Sequence, residues 1–113
     1  KEMGASLAGA GYKFSITETH HVSKVDAPSG TAISLAEMVE RGAGKEIDVP
    51  IDAIREGDAK GTHVLTAASD AEKIVLTHES MSRRGFAEGA VRAAEWLSTW
   101  TGSFDFRDVY TEL

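Results

Sequence analysis

The sequence predicts an α+β domain, a mostly antiparallel or mixed four-stranded sheet packed by helices. Short stretches with strand character recur four times, and the turn-forming clusters EGDAKG and ASDAE join the last three of them. Two longer stretches instead repeat apolar residues on one helical face.

In chain order, residues 1–11 are rich in small side chains and finish in Gly9 and Gly11, as the last turns of a helix that begins upstream. In YKFSITETHH, Tyr12, Phe14 and Ile16 alternate with Lys13, Ser15 and Thr17. That is the period of a half-buried strand ending near the paired histidines. VSKVDAPSGTA is a loop punctuated by Asp26, Pro28 and Gly30. A helix follows, with Ala32, Leu35, Ala36 and Val39 on one face and a stop near Gly42 and Gly44.

Ile47–Arg55, Thr62–Ala68 and Lys73–Met81 are the remaining strands. Pro50 has no N–H to give to a ladder, so the first of these lies at an edge or begins late. The last carries Ile74 and Leu76 on one face and Val75 on the other; the helix of residues 31–41 can cover one face, and the other needs a partner. Residues 84–100 form a second amphipathic helix that groups Phe86, Ala90, Val91, Ala94 and Leu97, and Gly102 ends it. Trp96 and Trp100, one turn apart, are packing residues. The tail SFDFRDVYTEL is aromatic and without clear periodicity.

With 113 residues the chain has room for one modest core, and 42% hydrophobic with 27% charged residues is the balance of an ordered domain. The net charge of −6 gives no footprint for a nucleic-acid backbone and repels anionic membranes, and no apolar run approaches a spanning length. There is no cysteine, which excludes disulfides and thiolate metal sites and fits the cytoplasm. The start lacks the apolar run of a secretory signal. His63 and His78 read as ordinary strand residues, Glu56 and Asp58 as solvated turn carboxylates, and no spacing converges the three or four ligands that zinc requires.

The chemistry concentrates in Glu18-Thr19-His20-His21-Val22-Ser23-Lys24-Val25-Asp26-Ala27-Pro28-Ser29-Gly30-Thr31-Ala32. A strand end delivers two imidazoles and an ammonium into a loop that runs straight into a helix N-terminus. Such a terminus carries unpaired N–H groups and the positive end of the dipole. Gly30 admits a ligand close to the backbone, and Thr31 adds a hydroxyl. This set suits a carboxylate-bearing substrate that must also receive a proton. The plainer alternative makes Ser29 only a helix cap, Pro28 only punctuation and the histidines only solvated strand residues. Neighbours on a strand point to opposite faces, so at most one of His20 and His21 faces a given pocket unless the strand ends between them.

The run E-x-H-H-x-x-K-x-D-A-P-S-G-T-A resembles the signature of the dihydrodipicolinate reductase family. IREGDAKGTH and THESMSRRGFAEGAVRAAEWL, leading into GSFDFRDV, resemble the same family in the same order. The resemblance implies reduction of dihydrodipicolinate, or of its hydrated form 4-hydroxy-tetrahydrodipicolinate, by NADH or NADPH in lysine and diaminopimelate synthesis. It implies catalytic acid/base roles for His20 and Lys24, and substrate contacts for His21, Gly30 and Thr31. More weakly, it implies hinge positions near the cofactor for Arg83 and Phe86. Val22, Ser23 and Thr62 depart from the family's usual residues at their positions.

A dinucleotide fold needs a strand, G-x-G-x-x-G and a helix. Gly9-Ala10-Gly11 has Phe14 where the third glycine belongs and follows no strand. The expectation is therefore a fragment: residues 1–83 as the substrate-binding, catalytic and oligomerisation domain, and 84–113 as a helix and tail completing a nucleotide-binding domain encoded elsewhere in the protein. Such a fragment binds no cofactor and is inactive alone. The resemblance further implies a homotetramer formed through the sheet. The rival reading is a stand-alone anion-binding or oligomerisation module without catalysis.

Overall fold

Helix α1 (Glu2–Leu7) tightens into a 3-10 turn (Ala8–Ala10) that Gly11 closes in the left-handed conformation, φ 85°. From there the chain enters β1 (Lys13–His20), crosses through α2 (Gly30–Ala43) to β2 (Ile51–Arg55), and continues as β3 (Thr62–Ala68) and β4 (Lys73–Glu79). These elements come from a computed structural model that describes all 113 residues. The strands form a mixed sheet in the order β2-β1-β3-β4, in which β1 is parallel to β2 and antiparallel to β3, and β3 is antiparallel to β4. Parallel neighbours need a crossover, and α2 supplies it. The predicted α+β class is the one observed.

The period of two in β1 sets which face is dry. Phe14 and Ile16 lie opposite Ala67 and Leu65 of β3, and all four are buried with Ala32, Ala36 and Val39 of α2. Helix α2 is held at both ends. Ser29 caps its start by accepting from the Ala32 N–H at 3.2 Å, and Gly44 closes its end at φ 66°. On the opposite face the sheet presents Ser15, Thr17 and Thr19 beside Thr62, Val64 and Thr66, and no other element of residues 1–81 covers it.

β2 lies at the edge of the sheet and begins late, as Pro50 predicts, and two boundaries differ from the sequence reading. β2 begins at Ile51, not Ile47, because Pro50 cannot join the ladder as a donor; its carbonyl still accepts from the Ile16 N–H at 2.9 Å. β4 ends at Glu79 and α3 (Arg84–Leu97) at Leu97. The tail contains a short helix, α4 (Phe106–Val109), started by Asp105 accepting from the Arg107 N–H at 2.9 Å. One helical turn is too short for periodicity to reveal. A further difference concerns β4: α2 packs on β1, β2 and the core face of β3, so Ile74, Val75 and Leu76 remain exposed on both faces.

Backbone packing divides the chain into two compact units, Lys1–Met81 and Ser82–Leu113. Within the second, Trp96 stacks on Trp100 at 5.4 Å between ring centroids, Phe104 meets Trp96 edge-on at 5.1 Å, and Val109 is buried. The tryptophan pair thus packs, as its spacing predicts. No helix is long and apolar enough to cross a membrane.

Helices α1 and α2 touch backbone to backbone because Gly4 and Gly42 lack side chains. A Cβ on Gly4 would stand 2.2 Å from the Val39 carbonyl oxygen, and one on Gly42 1.8 Å from that of Lys1. Alanine inside a helix ordinarily gains about 0.5–1 kcal/mol over glycine. Here overpacking reverses the sign, and Gly4→Ala is expected to destabilise by about 1–3 kcal/mol. Urea unfolding followed by circular dichroism reads this directly; a variant as stable as its parent would show that the helices are not in backbone contact.

Candidate functional site

The alternation that buries Phe14 and Ile16 continues to Glu18, so the same face that forms the core carries a carboxylate into it. Glu18 is fully buried, and four donors meet it. Oε1 accepts from the Ser29 N–H at 2.9 Å and from Arg55 Nη2 at 3.1 Å. Oε2 accepts from Arg55 Nη1 at 3.0 Å and is hydrogen-bonded to His20 Nδ1. Burial raises the pKa of this carboxyl, but the hydrogen bonds from Arg55, His20 and Ser29 outweigh it and hold it at about 2. The group is therefore a permanent anion paired with a guanidinium fork.

Arg55 also ties down the loop that follows β1, since Nη2 donates to the Asp26 carbonyl at 2.7 Å and Nη1 to its own neighbour Ile54 at 2.8 Å. The Val22 N–H adds a bond to the Gly57 carbonyl at 3.1 Å. Within this loop Lys24 Nζ donates to Asp26 at 2.8 Å and keeps that carboxyl below its usual range. β1 ends at His20, so His21 begins the loop and bonds Ser23 at 2.8 Å. The strand does end between the two histidines.

The first turn of α2 presents an unfilled pair of donors. Ser29 gives its N–H to Glu18, the Ala32 N–H goes to the Ser29 hydroxyl, and the Ile33 N–H to the Ser29 carbonyl at 3.1 Å. The N–H groups of Gly30 and Thr31 have no protein acceptor, and both residues are exposed. With the charge of Glu18 offset by Arg55, these N–H groups at the positive end of a 14-residue helix can receive an anion.

Two histidines that read as ordinary strand residues join this region. His63, opposite Glu18 in the ladder, is buried; its Nε2 lies 3.3 Å from the Ser29 hydroxyl and its Nδ1 3.4 Å from His78 Nδ1. Its ring meets that of His20 edge-on at 5.1 Å and stacks on His78 at 5.6 Å. Burial lowers its pKa, and repulsion from His20 and His78 adds to this. No cluster of three or more histidine or acidic side chains has the geometry of a metal site.

Of the predicted site residues, His20, His21, Lys24, Gly30 and Thr31 share the first unit, strung from the end of β1 to the first turn of α2. Arg83 and Phe86 belong to the second, where Arg83 precedes α3 and Phe86 is exposed. Gly9 and Gly11 end a helix and lead into a strand, the reverse of the strand–glycine loop–helix order that a dinucleotide requires. Their backbone does not form a pyrophosphate site.

Residues 1–110 match the family model described as dihydrodipicolinate reductase, C-terminus. A 4-hydroxy-tetrahydrodipicolinate reductase from Christiangramia forsetii is 42% identical over 99% of this chain and 53% of that protein. One from Cupriavidus metallidurans is 39% identical over 96% of this chain and 48% of that protein. Among solved structures, a dipicolinate-bound dihydrodipicolinate reductase from Paenisporosarcina sp. TG-14 matches with a TM-score of 0.61 at 28% identity, over 80% of this chain and 42% of that one. The chain spans about half the length of the curated relatives it matches.

The buried charges predict how stability varies with pH. Glu18 titrates lower in the folded than in the unfolded chain, so its contribution is complete above its ordinary 4.5 and is lost as pH falls toward about 2. His63 is lowered too: its contribution is complete above 6.5 and declines below that, because the unfolded chain takes up the proton first. Urea titrations should show stability declining first below pH 6.5 and again below 4.5, with Glu18→Gln flattening the second limb. An unchanged second limb in that variant would mean that Glu18 is not held as an anion.

Proposed function

The chain belongs to the dihydrodipicolinate reductase family and spans its C-terminal portion, and from that premise we propose that it is the substrate-holding, proton-supplying part of such a reductase. The observation that carries this reading is the pair of unfilled N–H groups at Gly30 and Thr31, on the helix entered by the loop that runs from His20 through Lys24. The substrate class is a small cyclic dicarboxylate. One carboxylate is received by the Gly30 and Thr31 N–H groups and the Thr31 hydroxyl, where helix dipole and hydrogen bonds act together. His21 is assigned a further contact to the substrate.

Reduction of a C=N bond needs a proton as well as a hydride, and the reaction accelerates when the proton donor is already positioned. His20 and Lys24 fill that role: a cation beside the imine nitrogen favours charge there as the bond is reduced. The reductant is NADH or NADPH, held by residues outside those that form the substrate site. Arg83 and Phe86 are assigned to its approach, and residues 84–113 to completing the domain that binds it. This chain alone is then inactive as a reductase. Its place is the cytoplasm, in lysine and diaminopimelate synthesis.

The sheet face that no other element of residues 1–81 covers supports an oligomer. Strands β1 and β3 present a hydroxyl-rich face, and the edge strand β4 exposes Ile74, Val75 and Leu76. Burying such side chains is worth about 1.5–3 kcal/mol each, enough to drive association. The assembly is a homotetramer built through the sheet. Multi-angle light scattering at micromolar concentration is expected to give a multiple of 12.1 kDa; a single-chain mass at every concentration would exclude it.

Ligand binding tests the site itself. Pyridine-2,6-dicarboxylate, a planar mimic of the substrate, is expected to bind the 113-residue chain, and Thr31→Val and Lys24→Ala should each weaken it roughly tenfold, as for the loss of one charge-assisted hydrogen bond. Calorimetric affinities unchanged in both variants would remove the proposed pocket.

A further inference from the structure

We infer that Glu18 is a positioning residue for His20: its carboxylate holds the neutral imidazole with the proton on Nδ1 and so makes Nε2 the atom that exchanges protons with the ligand. The inference deepens the proposed function, since it says which nitrogen of His20 does the work.

The geometry leaves Glu18 no other role toward the ring. A carboxylate offers about four acceptor directions and, ionised, no proton. Three are filled by donors that cannot reverse: the Ser29 N–H at 2.9 Å and the two terminal nitrogens of Arg55 at 3.1 and 3.0 Å. The fourth meets His20 Nδ1, which must therefore be the donor. No protein group bonds Nε2. Beside it lies Gly61, at φ 134°, where a Cβ would sit 3.1 Å from Nε2 and 3.3 Å from Cδ2. The ring edge bearing the free nitrogen is packed against bare backbone, a place that a side chain would crowd.

The neighbouring histidine is oriented by the same cap. The Ser29 oxygen accepts from the Ala32 N–H and keeps one proton and one lone pair for its bond to His63 Nε2 at 3.3 Å. The other ring nitrogen, Nδ1, faces His78 Nδ1 at 3.4 Å. With Arg55 fixing the carboxylate and a neutral His63 beside the ring, the one tautomer of His20 that satisfies every partner is the Nδ1–H form. A structural ion pair of Glu18 and Arg55 would need no imidazole at all.

Replacement by glutamine separates the two roles, because its amide has one acceptor and one donor end. At Oε1 an NH2 would face two donors, the Ser29 N–H and Arg55; at Oε2 it faces one, and His20 Nδ1 can accept. In Glu18→Gln the amide nitrogen therefore turns to His20, and the ring proton moves to Nε2.

Long-range proton–nitrogen correlation NMR on the 15N-labelled 113-residue chain, at a pH where the ring is neutral, reads the tautomer. We expect the Nδ1–H form of His20 in at least roughly tenfold excess in the parent chain, the scale set by losing one buried hydrogen bond to a charged group. The excess should invert in Glu18→Gln, and Glu18→Asp, which keeps a carboxylate, should favour Nδ1–H again. An Nε2–H or evenly mixed His20 in the parent overturns the inference, whether or not any variant folds. So does a folded Glu18→Gln chain with its tautomer unchanged. Failure of pyridine-2,6-dicarboxylate to bind would sink the substrate reading and leave this result standing; a wrong tautomer with intact binding would sink the positioning role alone.

Discussion

Glu18 carries a full negative charge on the buried face of the sheet, and the arrangement of the first unit follows from satisfying it. An isolated carboxylate there would cost far more than the core returns, so donors must converge on it. They come from three elements: Arg55 from β2, the Ser29 N–H from the start of α2 and His20 from β1 itself. One side chain thereby fixes the parallel strand pair, the entry of the crossover helix and the orientation of an imidazole. Its low pKa measures how complete that convergence is.

The same interaction prepares the anion site. A helix N-terminus attracts negative charge, and an internal carboxylate could have filled it entirely. Glu18 takes only the Ser29 N–H, while the Ser29 hydroxyl takes that of Ala32, so the donors of Gly30 and Thr31 stay free. Arg55 offsets the charge of Glu18 and pins the Asp26 carbonyl, which holds the loop bearing Lys24 against the strand ends. An open site for one further anion is what remains.

Part of this site was legible in the sequence. Ser29 before Gly30 marks a cap, and the His20–Lys24–Gly30–Thr31 run marks a cationic loop entering a helix. The alternation of Phe14 and Ile16 extends to Glu18, so the period of two also held a sign that the carboxylate lies on the dry face, one absent from the sequence expectations. Arg55 gave no such sign, because an arginine at a strand end before a turn is ordinary until its partner is known. His63 and His78 were read as plain strand residues for the same reason. His63 gains its significance from Ser29, 34 residues away in sequence, and from the ring of His20, and His78 gains its own only from His63.

The sequence by itself determined most of the longer elements and some of their limits. Alternation gave β1, apolar spacing gave α2 and α3, and Pro50 and Gly44 set limits, since each of these rests on residues two to four apart. It also carried the family motif, which is contiguous. The tertiary structure alone decided that β2 and β3 flank β1, that α2 covers the core face of the sheet but leaves β4 bare, and that Arg55 finds Glu18 across 37 residues. Those outcomes depend on the order of strands and on where a buried charge finds its partners. Both are settled by packing distant segments together, and local periodicity carries no information about that.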